Sequence, residues 1–387
     1  MINNKGINNS ILKQRNRGLI LKLIATNPSV SRIELSKESN LSKMSVTNIV
    51  CELMEANYVR EVETEGRKTV GRSPIGLDIA ENAPKIVGVL LKRTGIMVGL
   101  CDLKMNLTKY ERHDWTVCNG EILIEKACEL IDKVMKDEEN VVGIGVGTVG
   151  QVDINTGLII NPINFFGISN YPIGSFLGKR YHIPVLADNQ NNCAAIGEIH
   201  YGWGRKYRDF IYLGVTNGIG SGIVQGGESV HCVNGVGGEI GHMSIDYRGH
   251  KCNCGNRGCL ETYAGANVVC ERFREQTGER IEFQEICARA EEPVIAEILE
   301  DTMEKLSVGL LSAVNILNPE AIILGQDAFY LPDQYLAALE EKINSRKISK
   351  SSYYCEVVRP SLGKDGVLKG CAAMVADQMY RGNYLDL

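Results

Sequence analysis

The sequence predicts an α/β protein in which a small helical head precedes a larger body of alternating strands and helices. Apolar residues near the N-terminus recur at helical spacing, whereas from Ile86 onward they form short strands punctuated by glycine. The chain has 387 residues, which is long enough for two or three domains. Strands that alternate with helices predict layered α/β architecture in the body.

The head is predicted to hold three helices. Apolar residues within 11–25 follow one helical face, and Pro28 ends that helix. The run Ser31-Arg32-Ile33-Glu34 forms a capping box that opens a short second helix, and Ser42 can cap a third helix that runs to about residue 57. The buried side of the third helix is predicted to consist of Val46, Ile49, Val50, Leu53 and Met54. Helix, turn and helix at this spacing predict a helix-turn-helix.

The third helix and the segment after it carry the candidate DNA contacts. Two strand-like stretches, 58–64 and 73–79, flank a basic glycine-rich loop, which is typical of a β-wing that follows the DNA backbone or enters a minor groove. Small hydroxyls and amides near a helix N-terminus can meet base edges, while basic side chains hold phosphates. The candidate DNA-binding residues are Arg32, Ser42, Lys43, Ser45, Thr47, Asn48, Arg67 and Arg72. The alternative is a helical oligomerisation module with a solvated polar face.

Charge is distributed unevenly along the chain. Residues 1–80 hold 12 basic and 8 acidic side chains, a balance of +4, in a chain whose formal charge is −5. The remainder therefore carries −9. A basic head on an acidic body suggests a polyanionic partner such as double-stranded DNA, although a merely solvated surface would have the same balance.

The body is predicted to begin at about residue 81. Its clearest strands are 85–91, 96–101, 141–147, 210–215 and 321–324, and its clearest helices are 122–135 and 303–317. The chain has no run of about 20 apolar residues, and its N-terminus lacks the apolar core of a secretory signal. We therefore expect a cytoplasmic protein without membrane contact, whose thirteen cysteines are reduced thiols and metal ligands.

One histidine and three cysteines have the spacing of a metal site. His242 precedes Cys252, Cys254 and Cys259 within a glycine-containing loop. Three thiolates and one imidazole make a closed tetrahedral set, which zinc prefers and which leaves no open position for catalysis. The sequence predicts structural zinc here; the alternative is a set of unlinked thiols, which is how we interpret the other ten cysteines.

The chain resembles the ROK family, named for its repressors, open reading frames and kinases, across essentially its whole length. The run 237–242 is similar to the family's E-x-G-H signature, and 252–261 to its C-x-C-G-x-x-G-C-x-E motif. The run from Asn318 to Gly325 is similar to its adenosine-side motif, and residues 1–80 resemble the winged helix-turn-helix head of its sugar-responsive repressors. The resemblance implies a two-lobed actin-like (ribonuclease H-like) ATPase-fold body at 81–387. Lobe one would hold about 81–187 with a C-terminal helix at about 371–387, and lobe two about 188–370.

Several departures from the family's kinases imply that this chain is not an enzyme. The kinases carry an acidic residue and paired glycines in the first strand-turn, where this chain has Leu90-Leu91-Lys92-Arg93-Thr94. Gln190 stands at the position of the family's catalytic aspartate, and a carboxamide cannot accept a hydroxyl proton. Gln326 replaces a glycine usual after Gly325. We therefore expect no catalytic residue.

The sugar-binding side of the family's site looks retained. The resemblance implies sugar contacts from Asn164, Asn189, Gln190, Glu239, His242 and Glu261. The alternative for Glu239 and Glu261 is salt-bridging around the metal loop. The expected function is a sugar-responsive transcriptional repressor of carbohydrate-utilisation genes, acting as a homodimer or homotetramer on an operator, with xylose, N-acetylglucosamine or another sugar as effector. The alternative is an ATP-dependent sugar kinase with a DNA-binding head.

Overall fold

A computed structural model describes residues 8–63, 75–115, 119–162, 165–232, 235, 237–350 and 353–385. The helices are α1 Asn9–Thr26, α2 Arg32–Ser39, α3 Lys43–Glu55, α4 Gly120–Met135, α5 Ile173–Tyr181, α6 Gln190–Tyr201, α7 Glu261–Ala264, α8 Ala266–Thr277, α9 Phe283–Ala288, α10 Pro293–Leu317, α11 Asp333–Arg346 and α12 Gly366–Tyr380. The strands are β1 Val30–Ser31, β2 Val59–Val62, β3 Gly76–Ile79, β4 Lys85–Lys92, β5 Gly95–Cys101, β6 Leu107–Asp114, β7 Val141–Thr148, β8 Val152–Asp153, β9 Leu158–Ile159, β10 Val185–Asn189, β11 Phe210–Val215, β12 Ile219–Gln225, β13 Glu228–Ser229, β14 Ala321–Gln326 and β15 Glu356–Val358.

The head folds as a winged helix-turn-helix. The predicted capping box is present: Ser31 Oγ accepts from the Glu34 amide, and the Glu34 carboxylate accepts from the Ser31 amide. Ser42 caps α3, and Asn40 makes the intervening turn with a φ of 55°. Strands β2 and β3 pair antiparallel as the two arms of the wing, with β1 on the other side of β3. The basic loop between the arms lies outside the described residues.

Two five-stranded sheets form the body. The first has the order β10-β7-β4-β5-β6, in which β4, β5 and β6 form an antiparallel meander and β7 and β10 add in parallel. The second has the order β13-β12-β11-β14-β15. Helices α4 and α5 contact the first sheet, whereas α11 contacts β15 of the second and α10 packs on α8 and α11. This mixed arrangement of sheets and helices is the α/β, sugar-kinase-like body that the resemblance implied.

Helices α6 and α12 lie between the two sheets. Helix α12 contacts β4, β5 and β7 of the first sheet, and α6 contacts β11 and β12 of the second. The two helices cross closely because Gly370 has no side chain: a Cβ there would lie 2.2 Å from the carbonyl oxygen of Cys193. Helix α12 begins at Gly366 and ends at Tyr380, so it lies earlier than the C-terminal helix expected from the sequence.

The head packs directly on the body. Gly18 of α1 is buried against the end of α12, where a Cβ would lie 2.4 Å from the carbonyl oxygen of Tyr380. Arg205, beyond the end of α6, donates to the carbonyl oxygen of Thr26 at the end of α1. Buried apolar residues of α1, α3, α6 and α12 belong to one continuous core. None of the helices in the described ranges combines the length and apolarity that a membrane span needs.

Candidate functional site

One imidazole and three thiols meet in the loops that follow β13. Candidate ligand atoms of His242, Cys252, Cys254 and Cys259 all lie within 4.8 Å of one another. The Sγ atoms of Cys254 and Cys259 are 3.6 Å apart, and Cys252 Sγ lies 3.6 Å from His242 Nδ1. Sulfurs bound at about 2.3 Å by a tetrahedral zinc have similar spacing, and Cys₃His is a common structural set. The donor set therefore fits zinc.

Backbone geometry explains the glycines of this loop. Gly255 has a φ of 94° and closes a tight turn in which the Cys252 amide donates to the carbonyl oxygen of Asn256. Gly258 has a φ of 70°, and a Cβ there would lie 1.8 Å from the carbonyl oxygen of Asp246. These turns bring Cys252, near the start of the loop, back beside Cys259 at its end.

A cleft of about 580 Å³ opens between the strand ends of the two sheets. Five of the six predicted sugar-binding residues line it: Asn189, Gln190, Glu239, His242 and Glu261. The sixth, Asn164, lies outside the described residues. These side chains come from separate segments of the chain, and the fold brings them to one concave surface beside the metal cluster. A cleft of this volume is within the usual range for small-molecule sites.

Gln190 presents an unused acceptor to the cleft. It is the first residue of α6 and is 8% exposed, and its Oε1 has no hydrogen-bond partner among the described residues. The polar atoms of the neighbouring Asn189 side chain are already hydrogen-bonded within the protein. Its Oδ1 caps α6 by accepting from the Asn191 amide at 2.8 Å. Its Nδ2 donates to the carbonyl oxygen of Gly150 at 2.8 Å. A buried acceptor that lacks a partner is suited to a ligand hydroxyl.

The two carboxylates differ in their surroundings. Glu261 Oε1 accepts from Cys252 Sγ at 3.1 Å and lies 3.4 Å from His242 Nδ1, so the salt-bridging alternative describes part of its present contacts. Glu239 is exposed and makes no ion pair with any residue that the structure describes. Arg93, in the turn between β4 and β5, also lines the cleft. Burial lowers the pKa of Arg93, and the charge of Glu261 opposes that shift.

A side-chain hydrogen bond links the end of β14 to α6 beside the cleft. Gln326 Nε2 donates to Asn191 Oδ1 at 2.7 Å, which ties the end of β14 to the start of α6. Gln326 adopts φ 60° and ψ −126°, a conformation that favours glycine. The backbone at Gln326 therefore has a conformation that would suit the glycine that the resemblance places here.

Sequence reasoning missed several residues of the cleft. Gln151, Asn217, Asn253 and Asn267 also line it. Asn253 lies inside the cysteine motif, Asn267 is the second residue of α8, and Gln151 and Asn217 lie in loops, so only the fold reveals that they converge. Arg93, from the run where the family's kinases carry paired glycines, lies in the same cleft as the sugar-binding candidates.

The N-terminal end of α3 presents the predicted polar face. Lys43, Ser45, Thr47 and Asn48 are exposed, as is the capping residue Ser42. Met44, which sequence reasoning did not select, is 76% exposed at the same end and could meet a thymine methyl group. Arg32 is instead engaged within the head: its guanidinium pairs with Glu61 at 2.8 Å. Arg67 and Arg72 lie outside the described residues.

Comparisons with known proteins agree with this architecture. A model of the ROK family matches residues 86–378, and a model of winged helix-turn-helix DNA-binding domains matches residues 14–60. The xylose repressor of Caldicellulosiruptor bescii is 30% identical over 393 residues, which cover 96% of this chain and 98% of that protein.

Solved structures resemble both the whole chain and its body. A ROK family transcriptional regulator, a homolog of the Escherichia coli MLC protein, has a TM-score of 0.81 at 24% identity and covers 97% of this chain and 98% of its own. A ROK glucokinase from Streptomyces griseus, in complex with glucose and AMPPNP, has a TM-score of 0.68 at 23% identity and covers 75% of this chain and 98% of its own. With the family model matched over most of the chain, this protein belongs to the ROK family and carries an N-terminal winged helix-turn-helix DNA-binding domain.

Proposed function

We propose that this chain is a sugar-responsive DNA-binding repressor of carbohydrate-utilisation genes, acting in the cytoplasm. The observation that carries the proposal is the pairing of two features in one chain. An exposed polar helix end lies on a DNA-binding head, and a polar cleft in the body contains Glu239, His242 and Gln190. The name of the Caldicellulosiruptor bescii relative supports xylose as one candidate effector. N-acetylglucosamine and other sugars remain candidates.

The sugar would be held by side chains rather than processed. Gln190 offers its free Oε1 to a hydroxyl, and Glu239 offers a carboxylate. His242 turns Nδ1 toward the thiols, which leaves Nε2 for the cleft. We retain Asn189 and Glu261 as sugar contacts, and Asn164, which lies outside the described residues, as a further candidate.

Structural zinc would be bound by His242, Cys252, Cys254 and Cys259. The ion would fix the loop by cross-linking it and would supply no catalytic chemistry, because all four ligands come from the protein. Since His242 and Glu261 border both the cluster and the cleft, a rigid loop would pre-organise the sugar contacts. We therefore propose that zinc has a positioning role in effector binding.

Two heads would bind one operator. A single helix-turn-helix covers only a half-site, so specific binding normally requires a dimer on two half-sites about one helical turn apart. We propose a homodimer or homotetramer, with Ser42, Lys43, Ser45, Thr47 and Asn48 at the DNA, and Arg67 and Arg72 from the wing. Arg32 would act indirectly, because its pairing with Glu61 fixes α2 against the wing strand.

The kinase alternative is less well supported. Gln190 cannot serve as the base that deprotonates a sugar hydroxyl, and Arg93 and Gln326 occupy the turns where the family's kinases have glycine. We propose that the body binds its sugar without turnover. ADP release from a mixture of sugar, ATP and magnesium would support the alternative instead.

A mobility-shift experiment tests the proposal. Labelled duplex from the region upstream of the protein's own gene is titrated with protein, alone and with xylose, glucose or N-acetylglucosamine. We expect one sugar to weaken the complex and to raise the melting temperature of the free protein, since a ligand of the folded state stabilises it. Lys43→Ala should weaken DNA binding about tenfold and reduce its salt dependence, whereas Lys136→Ala in the body should not. A panel in which no sugar alters either quantity contradicts the proposal.

A further inference from the structure

A second cavity, of about 440 Å³, lies where the head meets the body. We refer to it as the junction cavity. Leu19 and Lys22 of α1 form its head side, and His200 of α6, Asp377 of α12 and His231 after β13 form its body side. The cavity is separate from the sugar cleft, since the two share no lining residue.

His231 connects the junction cavity to the sugar cleft. Its Nε2 lies 2.7 Å from Oδ2 of Asp188, whose side chain is buried. The other carboxylate oxygen of Asp188 accepts from the Asn189 amide at 2.6 Å and from Asn192 Nδ2 at 2.9 Å. One oxygen of Asp188 therefore binds the start of α6, the helix that carries Gln190 into the cleft. The other oxygen binds His231.

The same contact crosses between the two sheets. Asp188 belongs to β10 of the first sheet, whereas His231 follows β13 of the second. Glu239 follows His231 by eight residues, and Gln190 follows Asp188 by two, so each member of the pair is close along the chain to one sugar-binding candidate. The hydrogen bond to Asp188 raises the pKa of His231, and this favours the charged ring that makes the contact an ion pair.

Some of the buried polar groups that line the junction cavity have no hydrogen-bond partner among the described residues. His200 Nε2 pairs with Asp377 Oδ1 at 2.8 Å, but its buried Nδ1 has no partner among the described residues, and neither has Ser229 Oγ. The Lys22 ammonium makes no ion pair with any residue of the described ranges, although Asp377 is near enough to raise its pKa against the lowering effect of burial. Unsatisfied buried polar groups weaken an interface. The contact between head and body in this arrangement is therefore less stable than one in which every buried polar group is paired.

On the basis of the proposed function, we propose that the Asp188–His231 pair is the positioning contact that transmits sugar occupancy to the DNA-binding head, with Lys22 on the receiving side of the junction cavity. A sugar that binds both Gln190 and Glu239 would draw them together. This would move the end of β10 and the segment after β13, which the Asp188–His231 pair links. His231 then changes its position in the wall that faces Lys22. Because Lys22 of the head lines the same cavity as His231, we expect the placement of the head to shift with the occupancy of the cleft.

Substitution of His231 tests this inference in the full-length protein. DNA affinity is measured with and without the effective sugar of the xylose, glucose and N-acetylglucosamine panel, using the upstream duplex. In His231→Leu we expect the sugar to change DNA affinity by less than about twofold, where the wild type changes by about tenfold or more. Sugar affinity and sugar-free DNA affinity should stay within about threefold of wild type, because His231 lines neither the cleft nor the DNA face. His231→Gln, whose amide can still donate to Asp188, should recover part of the response.

The controls separate coupling from folding and from the proposed function. His182→Asn lies at the C-terminal cap of α5, where φ is 57° and asparagine is tolerated, and should behave as wild type. Unchanged coupling in His231→Leu, or loss of sugar binding itself, overturns the inference and leaves the proposed function standing. A wild type whose DNA affinity no sugar changes overturns both.

A variant on the head side guards against a folding defect. If the melting curve of His231→Leu shows an unfolded protein, Lys22→Met carries the test, since it alters the opposite wall of the cavity on a different element. We expect it to reduce the response to sugar to a similar extent while sugar binding persists. Full coupling in Lys22→Met overturns the inference.

Discussion

At the scale of single residues, the body keeps a kinase-like backbone with altered side chains. Gln326 retains a positive φ that suits glycine, and it uses its amide to hold Asn191. Gln190, which the resemblance places at the family's catalytic aspartate, presents a carboxamide whose Oε1 has no partner among the described residues. Relative to the kinases as the resemblance describes them, both changes keep a polar side chain and would remove a proton acceptor or space for phosphate. A site altered in this way can still bind a polyol.

The strain at Gln326 can be measured by comparing two truncations. Gln326→Ala and Gln326→Gly both lose the hydrogen bond to Asn191, but only glycine adopts φ 60°, ψ −126° without strain. We therefore expect the glycine variant to have the larger free energy of unfolding, by about 1–2 kcal/mol, in urea titrations. The same pair at Ala328, a buried residue of the following turn, should show the ordinary order, in which alanine is the more stable. Equal stability of the two Gln326 variants would indicate a relaxed backbone.

The free acceptor of Gln190 makes a prediction about affinity. Replacement of its amide by an apolar group of similar size, in Gln190→Leu, should weaken sugar binding about three- to tenfold, the usual effect of one neutral hydrogen bond. Isothermal titration with the effective sugar measures this loss. The melting temperature without sugar should not fall, because Oε1 has no protein partner to lose among the described residues. Full sugar affinity in this variant would exclude Gln190 from the contact set.

At the scale of elements, the sequence predicted what local chemistry determines. Capping by Ser31 and Ser42 placed the starts of α2 and α3, and the apolar run at 210–215 predicted β11. Helix α10 begins ten residues earlier than 303, because the charged residues in 293–302 obscure its apolar face. The close crossing of α6 and α12 and the contact between Asp188 and His231 join residues far apart in the sequence, so no local pattern could reveal them.

The metal loop can be tested as an element. Cys254→Ser should lower bound zinc, measured by atomic emission, from about one ion per chain to nearly none, because closed sites need all four ligands. Loss of the cross-link should also loosen His242 and Glu261 and abolish the thermal shift caused by sugar. Cys270→Ser, a cysteine outside the cluster, should change neither quantity. Unchanged metal content and an unchanged sugar response in Cys254→Ser would refute the site.

At the scale of the whole molecule, the head and the two sheets are connected through helices α6 and α12. The head packs on α12, the first sheet contacts both α6 and α12, and the second sheet contacts α6. The core continues from α1 into both helices. Gly18 and Gly370 permit contacts too close for any side chain, so these helices cannot tilt without moving their neighbours. A change in the cleft at the start of α6 can therefore alter how α1 packs on α12. Under the proposed function, a ligand in the cleft would shift the placement of the head through these contacts.

Coupling between the sugar cleft and the DNA-binding head through these helices must be reciprocal. If a sugar weakens operator binding by a given factor, the operator must weaken sugar binding by the same factor, since both equilibria close one thermodynamic cycle. A tenfold effect corresponds to about 1.4 kcal/mol in each direction. Sugar affinity is measured by titration with and without saturating upstream duplex, and DNA affinity with and without saturating sugar, at one salt concentration because DNA binding depends on salt. Duplex of the same length and scrambled sequence should leave sugar affinity nearly unchanged. Unequal factors would show that the two ligands act on different oligomeric states, and equal factors near one would mean that the cleft and the head are independent.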